Sequence, residues 1–318
     1  MRARVAEATA PCRVDLAGGA PGGPVLAVAL DRRVSCRVET GPFGVELESR
    51  DALRRASAPD LSALPEVPSL RLAALVLRAF DLTTGVRVAT HSPLPAGTGL
   101  GDEGALAVAL AGAVATALGR KAPPEEIGRI ATEVTRRAGS IASGGGAEAA
   151  AVCGGVVSVD DGRKDAMVEV LRVDPACVEE SLLLVDTGSA ADAGPPASAD
   201  SVRSLRAALL EDRLEDVVGL WAEEWRAGRE TVPGWPAPEA ARVADLVESA
   251  GGAARLCGAG RGRVLAVWAP PGRRGAGRRE AVQAALRSAG LRLFAGRVDL
   301  RGLDVECGER AIMSGLAR

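Results

Sequence analysis

Hydrophobic and polar positions alternate with a period of two through most of the N-terminal quarter of the chain. This pattern reads as strands over 4–9, 13–17, 25–30, 33–39 and 45–48, with Gly and Pro between them. Helical spacing then takes over at 70–80, a short strand is expected at 86–90, and helices at 102–118 and 124–138. Strands return at 154–159 and 168–173. A second unit begins near Asp174, with a strand at 182–186, an Ala-, Gly-, Pro- and Ser-rich loop over 188–199, and helices at 200–229 and 238–250. A strand at 263–268, a helix at 278–289 and a final strand near 293–300 close it. The order of elements predicts an α+β protein of two domains, 1–175 and 176–318.

Composition narrows the class. At 318 residues the chain is long enough for two cores. It is 47% hydrophobic but only 2% aromatic and has no Tyr, so those cores must be built from Ala, Val and Leu. Lys occurs only at Lys121 and Lys164, which looks like the residue usage of a GC-rich genome. The net charge of −2, with both signs interspersed, excludes the basic stripe of a nucleic-acid binder. Arg273, Arg274, Arg278 and Arg279 form one cationic run, read as a solvated loop entering a helix. Six cysteines at 12, 36, 153, 177, 257 and 307 show no zinc spacing. The N-terminus lacks a signal-type apolar core, and no apolar run approaches the roughly 20 residues that span a bilayer. A soluble cytoplasmic protein with free thiols and no membrane partner is expected.

Three glycine-rich segments carry the candidate chemistry. In the middle one, Gly97-Thr98-Gly99-Leu100-Gly101-Asp102-Glu103 opens into the Ala-rich helix, which is how a chain offers free N–H groups and a helix N-terminus to a phosphate. Near the start runs Ala10-Pro11-Cys12-Arg13-Val14-Asp15-Leu16-Ala17-Gly18-Gly19. Near the end runs Arg255-Leu256-Cys257-Gly258-Ala259-Gly260-Arg261-Gly262-Arg263.

In this order the three motifs resemble the GHMP kinases, and residues 11–19 are similar to the first motif of the heptose 7-phosphate and fucose kinase branch. The resemblance runs from about residue 8 to 301 and includes Leu220-Trp221-Ala222-Glu223-Glu224-Trp225. It implies a two-domain fold, with a left-handed β-α-β unit in the N-terminal domain and a ferredoxin-like C-terminal domain. It also implies ATP, Mg²⁺ and a small sugar-like ligand in the cleft between them. The family's nucleotide-binding positions fall on Gly97, Gly99, Gly101, Asp102, Glu103, Gly258, Gly260 and Gly262.

Several positions depart from the family pattern. Where the family loop has two serines, this chain has Asp102 and Glu103: either the helix caps itself and needs no anion, or Glu103 is a direct Mg²⁺ ligand. Thr135 stands where the resemblance places the metal-binding Glu, and Glu133 lies about 200° away around the helix. Ala147 stands at the general-base position with Glu148 next to it, read either as a shifted base or as a solvated loop residue. The chain continues from Gly19 directly through Ala20-Pro21-Gly22, so the sugar-contacting loop is missing. Arg13 is read either as facing a transferring phosphoryl group or as a buried partner of an Asp within the sheet. Arg261 and Arg263 either attract anions or neutralise Asp102 and Glu103 across the cleft. His91 is read as structural. These departures lead to the expectation of a weak or inactive sugar-kinase copy, with two alternatives: an active kinase with relocated carboxylates, or a non-catalytic scaffold that pairs with an active paralogue or with itself.

Overall fold

The computed structural model describes residues 3–18, 23–95, 97–139, 145–160, 167–192, 197–258, 261–271 and 277–310. Its first sheet is built on two long strands, β1 (Ala3–Ala17) and β2 (Val25–Thr40), each uniting what the sequence pattern splits in two. Pro11 and the Asp31-Arg32 pair look like turns in sequence. In the fold the β1–β2 ladder absorbs them as a register shift at Pro11/Cys12, since a bulge is where a strand tolerates Pro.

β3 (Val45–Ser49), β4 (Arg54–Ala58) and β5 (Val86–His91) extend this sheet, and β6 (Val156–Asp160) and β7 (Met167–Leu171) branch from β2. The last strand, β12 (Asp304–Arg310), returns from the C-terminal region to pair with β1. Three helices lie over the sheet: α1 (Arg71–Ala79), α2 (Asp102–Ala117) and α3 (Pro124–Ala138). α2 is apolar all round, as expected of a helix buried on every side. Its Ala and Gly residues let it settle closely on Ala6, Ala8 and Ala10 of β1, which is how a core short of aromatics is filled. A short helix, α4 (Gly146–Cys153), packs beside α2 and α3.

After α5 (Pro175–Ser181), the second sheet comprises β8 (Leu182–Asp192), β9 (Ala253–Leu256), β10 (Arg261–Trp268) and β11 (Arg292–Ala295) in the order β11-β8-β10-β9, antiparallel throughout. That order is ferredoxin-like. β8 runs on through much of the expected loop. The expected helix at 200–229 is two, α6 (Ala199–Leu210) and α7 (Leu214–Thr231), separated where Asp212 takes a left-handed φ of 54°. α8 (Pro238–Ser249) and α9 (Arg278–Ser288) complete the unit. Alternation along β8 divides the core: Leu183 and Val185 pack with α8 and α9, while Leu182 and Leu184 join the main core with α6 and α7. The final strand expected near 293–300 stops at Ala295, and Val298 makes an isolated bridge to Leu30.

Candidate functional site

The end of β1 brings a buried charge pair beneath the first glycine loop. Arg13 and Asp15 have side chains on the same face at a two-residue spacing, and the guanidinium grips the carboxylate in a fork: Nε to Oδ1 at 2.8 Å and Nη2 to Oδ2 at 2.9 Å. Both residues are under 5% exposed. The backbone N–H of Arg13 donates to the Leu100 carbonyl at 2.8 Å, so β1 and the loop are joined directly. Of the two readings of Arg13, the buried pair within the sheet is the one observed.

The loop then enters α2. Gly101 is left-handed, and a Cβ there would lie 1.9 Å from Arg13 Nη1, so glycine lets the guanidinium sit against the backbone at the helix start. Asp102 begins α2 as expected. Burial and the neighbouring Glu103 push its carboxyl above the usual Asp range, while the nearby backbone N–H groups of Asp102 and Glu103 and the charge of Arg13 pull the other way. Glu103 is exposed.

The third glycine motif lies against this loop, backbone to backbone. A Cβ on Gly99 would meet the Cys257 carbonyl oxygen at 2.2 Å, and one on Gly262 would meet the same oxygen at 2.1 Å. Arg263 N–H donates to the Gly97 carbonyl at 3.1 Å. Gly97, Gly99, Gly101, Gly258 and Gly262 are thus gathered at one place; Gly260 and the side chain of Arg261 lie outside the described residues. The expected Arg-to-carboxylate cluster across the two lips fails at Arg263. Its guanidinium is paired with Asp186 on the neighbouring strand β8, at the point where the β10–β8 ladder shifts register between Gly262 and Val264.

Glu148 is not a solvated loop residue. It sits in the first turn of α4 at 6% exposure, and Thr135 of α3 donates its hydroxyl to Oε1 at 2.8 Å. The side-chain space missing at Gly104 of α2 lies beside it: a Cβ there would be 3.3 Å from Oε1. Ala147 occupies the neighbouring position, packed on the same glycine. Glu133 faces outward and pairs with Arg136 and Arg137. His91 is exposed at the end of β5.

Three side chains that sequence reasoning passed over tie the second unit to the end of β1. Trp221 Nε1 donates to the Leu16 carbonyl at 2.9 Å, and its ring packs edge-on against Trp268 at 5.9 Å. Arg255, paired with Glu224, donates to the Gly18 carbonyl at 2.8 Å. The signal was the spacing of Trp221 and Glu224, three apart on one helix face. Cys257 lies close by, its thiol pushed up to about 12 by burial, and the described cysteines are all free.

A glycine loop feeding a buried helix meets a second glycine loop that leads into the four-stranded sheet, in an α+β architecture of two sheets. Residues 69–155 match the family described as GHMP kinases N terminal domain. The chain is 32% identical over 148 residues to mevalonate kinase of Pyrococcus abyssi, a match covering 41% of this chain and 44% of that protein, so it spans less than half the length of the curated relative. Among solved structures, a D-glycero-D-manno-heptose 1-phosphate kinase from Bacteriodes thetaiotaomicron superposes with a TM-score of 0.75 at 21% identity, covering 95% of this chain and 98% of that one. Lactococcus lactis galactokinase, solved with galactose, superposes with a TM-score of 0.74 at 13% identity, covering 94% and 95%. Residues 69–155 thus resemble the GHMP kinase N-terminal domain, and along nearly its whole length the chain has the fold of these solved kinases.

Proposed function

We propose that this protein descends from the sugar-kinase branch of the GHMP kinases, whose reaction is ATP-dependent phosphorylation of a sugar or sugar phosphate, and that its own phosphoryl transfer is slow or absent. The observation that carries the reading is the meeting of two glycine loops at the start of α2, directly above Arg13. The heptose and galactose kinases among the structural neighbours support the substrate class.

The residues present do not fit a triphosphate and its metal as they stand. A phosphate needs the N–H groups at the start of α2, and Asp102 there carries a charge of the same sign as the phosphate. Among the described residues no group of three or more His, Cys, Asp or Glu side chains gathers to hold a metal ion.

One observation favours a second reading, an active kinase. Glu148 is a buried carboxylate that accepts a hydrogen bond from the neutral Thr135 hydroxyl, which suits a group that accepts a proton from a substrate alcohol. The two readings separate in one experiment, in which purified protein is incubated with ATP, Mg²⁺ and a panel of hexoses, heptoses and their phosphates. The first expects turnover at or near background. The second expects a product that is lost in Glu148→Gln by about 10²-fold or more.

A further inference from the structure

We propose that the outer face of the first sheet holds a second ligand site, a polar hollow in which Arg50 and His91 grip a phosphate group and Glu39 receives hydroxyls of the molecule that carries it. None of the glycine loops lines this hollow, and the inference does not rest on the chain being a kinase.

Strand alternation builds the hollow. Ala8, Cys36 and Val88 point into the main core, so Glu7, Thr9, Ser35, Arg37 and Ala89 point the other way. The ladders set Ser35 opposite Thr9 and His91, and Arg37 opposite Glu7 and Ala89. Small side chains at Thr9, Ser35 and Ala89, set among long ones, leave a space of about 470 Å³, within the range of about 300–1,000 Å³ typical of small-molecule sites. Arg50 reaches the hollow from the end of β3. That strand runs parallel to β5 with Ser49 opposite Thr90, and the Arg50 N–H donates to the Thr90 carbonyl at 2.9 Å, which carries the pairing one residue further and brings Arg50 beside His91.

The charges on this face sort into two groups. Arg37 is paired with Glu7, and Arg55 and Arg87 share Glu46. Arg50, His91 and Glu39 all line the hollow, and none of the three has a side-chain hydrogen bond or ion pair among the described residues. A guanidinium, an imidazole N–H and the Ser35 hydroxyl on adjacent strands make a donor set for a phosphate, whose oxygens accept several hydrogen bonds at once. Glu39, two pleats along β2 from Ser35, repels a bare anion but accepts from hydroxyls. Together the two ends select a molecule with a phosphate at one end and hydroxyls at the other, the chemistry of a sugar or polyol phosphate.

The test uses the full chain without a polyhistidine tag. His91 is the single histidine of the sequence, so its imidazole protons report on this site alone in NMR. Glucose 6-phosphate is titrated at constant pH by calorimetry and NMR, with inorganic phosphate and glucose as separate probes. Wild type is compared with Arg50→Ala, Glu39→Ala and Arg87→Gln. Arg87 lies on the same face outside the hollow and controls for loss of a surface cation. The expected result is saturable binding of glucose 6-phosphate that moves the His91 signals, is weakened about tenfold or more in Arg50→Ala and is unchanged in Arg87→Gln. Glu39→Ala is expected to bind inorganic phosphate more tightly and glucose 6-phosphate more weakly, since a repulsive charge and a hydroxyl acceptor leave together. His91 signals that do not move, equal losses in Arg50→Ala and Arg87→Gln, or glucose binding as tightly as glucose 6-phosphate overturn the site. Glucose 6-phosphate binding that is unchanged in Glu39→Ala overturns the role given to the hydroxyls.

Discussion

Asp15 and Glu148 are the two buried carboxylates nearest the glycine loop, and they are held in opposite ways. Asp15, 4% exposed, is neutralised by a bidentate guanidinium two residues away on the same strand. Glu148, 6% exposed, is held by a threonine hydroxyl from the adjacent helix. A paired buried charge is a structural element: it has recovered in Coulomb energy and hydrogen bonds part of what desolvation took, and it is locked in one geometry. A buried carboxylate whose partner among the described residues is a neutral hydroxyl has no such counter-charge in its hydrogen bonding. Equal burial therefore comes with two different chemical surroundings.

The sharpest way to break this contrast is the same chemical change at both sites, carboxylate to amide. Asp15→Asn leaves Arg13 buried without its counter-charge, and a loss of about 3 to 5 kcal/mol is expected in urea or thermal unfolding. Next in size, Thr135→Val strips Glu148 of its donor without changing side-chain shape much, with an expected loss of about 1 to 3 kcal/mol. Glu148→Gln keeps an acceptor for Thr135 and removes an unbalanced charge, so its stability is expected within about 1 kcal/mol of wild type, in either direction. If Glu148→Gln costs as much as Asp15→Asn, the distinction between the two carboxylates collapses.

Much of the frame was legible because local and tertiary signals agree. The start of α2 at Asp102 is written in a glycine turn followed by an unbroken Ala-rich run, and the strands of both sheets follow a period-two pattern one face of which is core. What stayed hidden depends on contacts that no local pattern encodes. α4 is a short helix that is apolar nearly all round, so it offers no amphipathic period. β12 is largely exposed and polar, and only its partner β1 makes it a strand. The solvated-loop reading of Glu148 fails for the same reason: Glu prefers solvent on average, and the packing of α4 on α2 and α3 overrides that average. For Arg263 the chemistry was right and the partner wrong, since complementary charge was expected across the lips while the β8–β10 register supplied Asp186 instead.

The last prediction carries the contrast between paired and unbalanced carboxylates into pH dependence, where its sign can be checked. The Arg263 side chain, hydrogen-bonded to Asp186, is the main force holding that carboxyl below the usual Asp range, with the Gly188 N–H adding to it. A carboxylate whose folded pKa is depressed contributes stability that is fully present above the unfolded value, about 3.9, and is lost as pH falls through the lower folded value. The pair is partly exposed, at 30% and 16% for the two side chains, so its worth is about 0.5 kcal/mol. Asp186→Asn is therefore expected to melt slightly below wild type at pH 7 and to converge with it as the pH falls through the lowered folded value. At Asp102 the direction reverses, because burial and Glu103 raise its carboxyl: the folded state favours the protonated form, and the stability penalty appears as pH rises above the unfolded value. Asp102→Asn should thus gain on wild type toward neutral pH, where Asp186→Asn loses. Thermal melts of the two variants from pH 3 to 7 that shift in the same direction would mean that Asp102 is held by a counter-charge as Asp186 is, and that it does not stand unbalanced at the mouth of the loop.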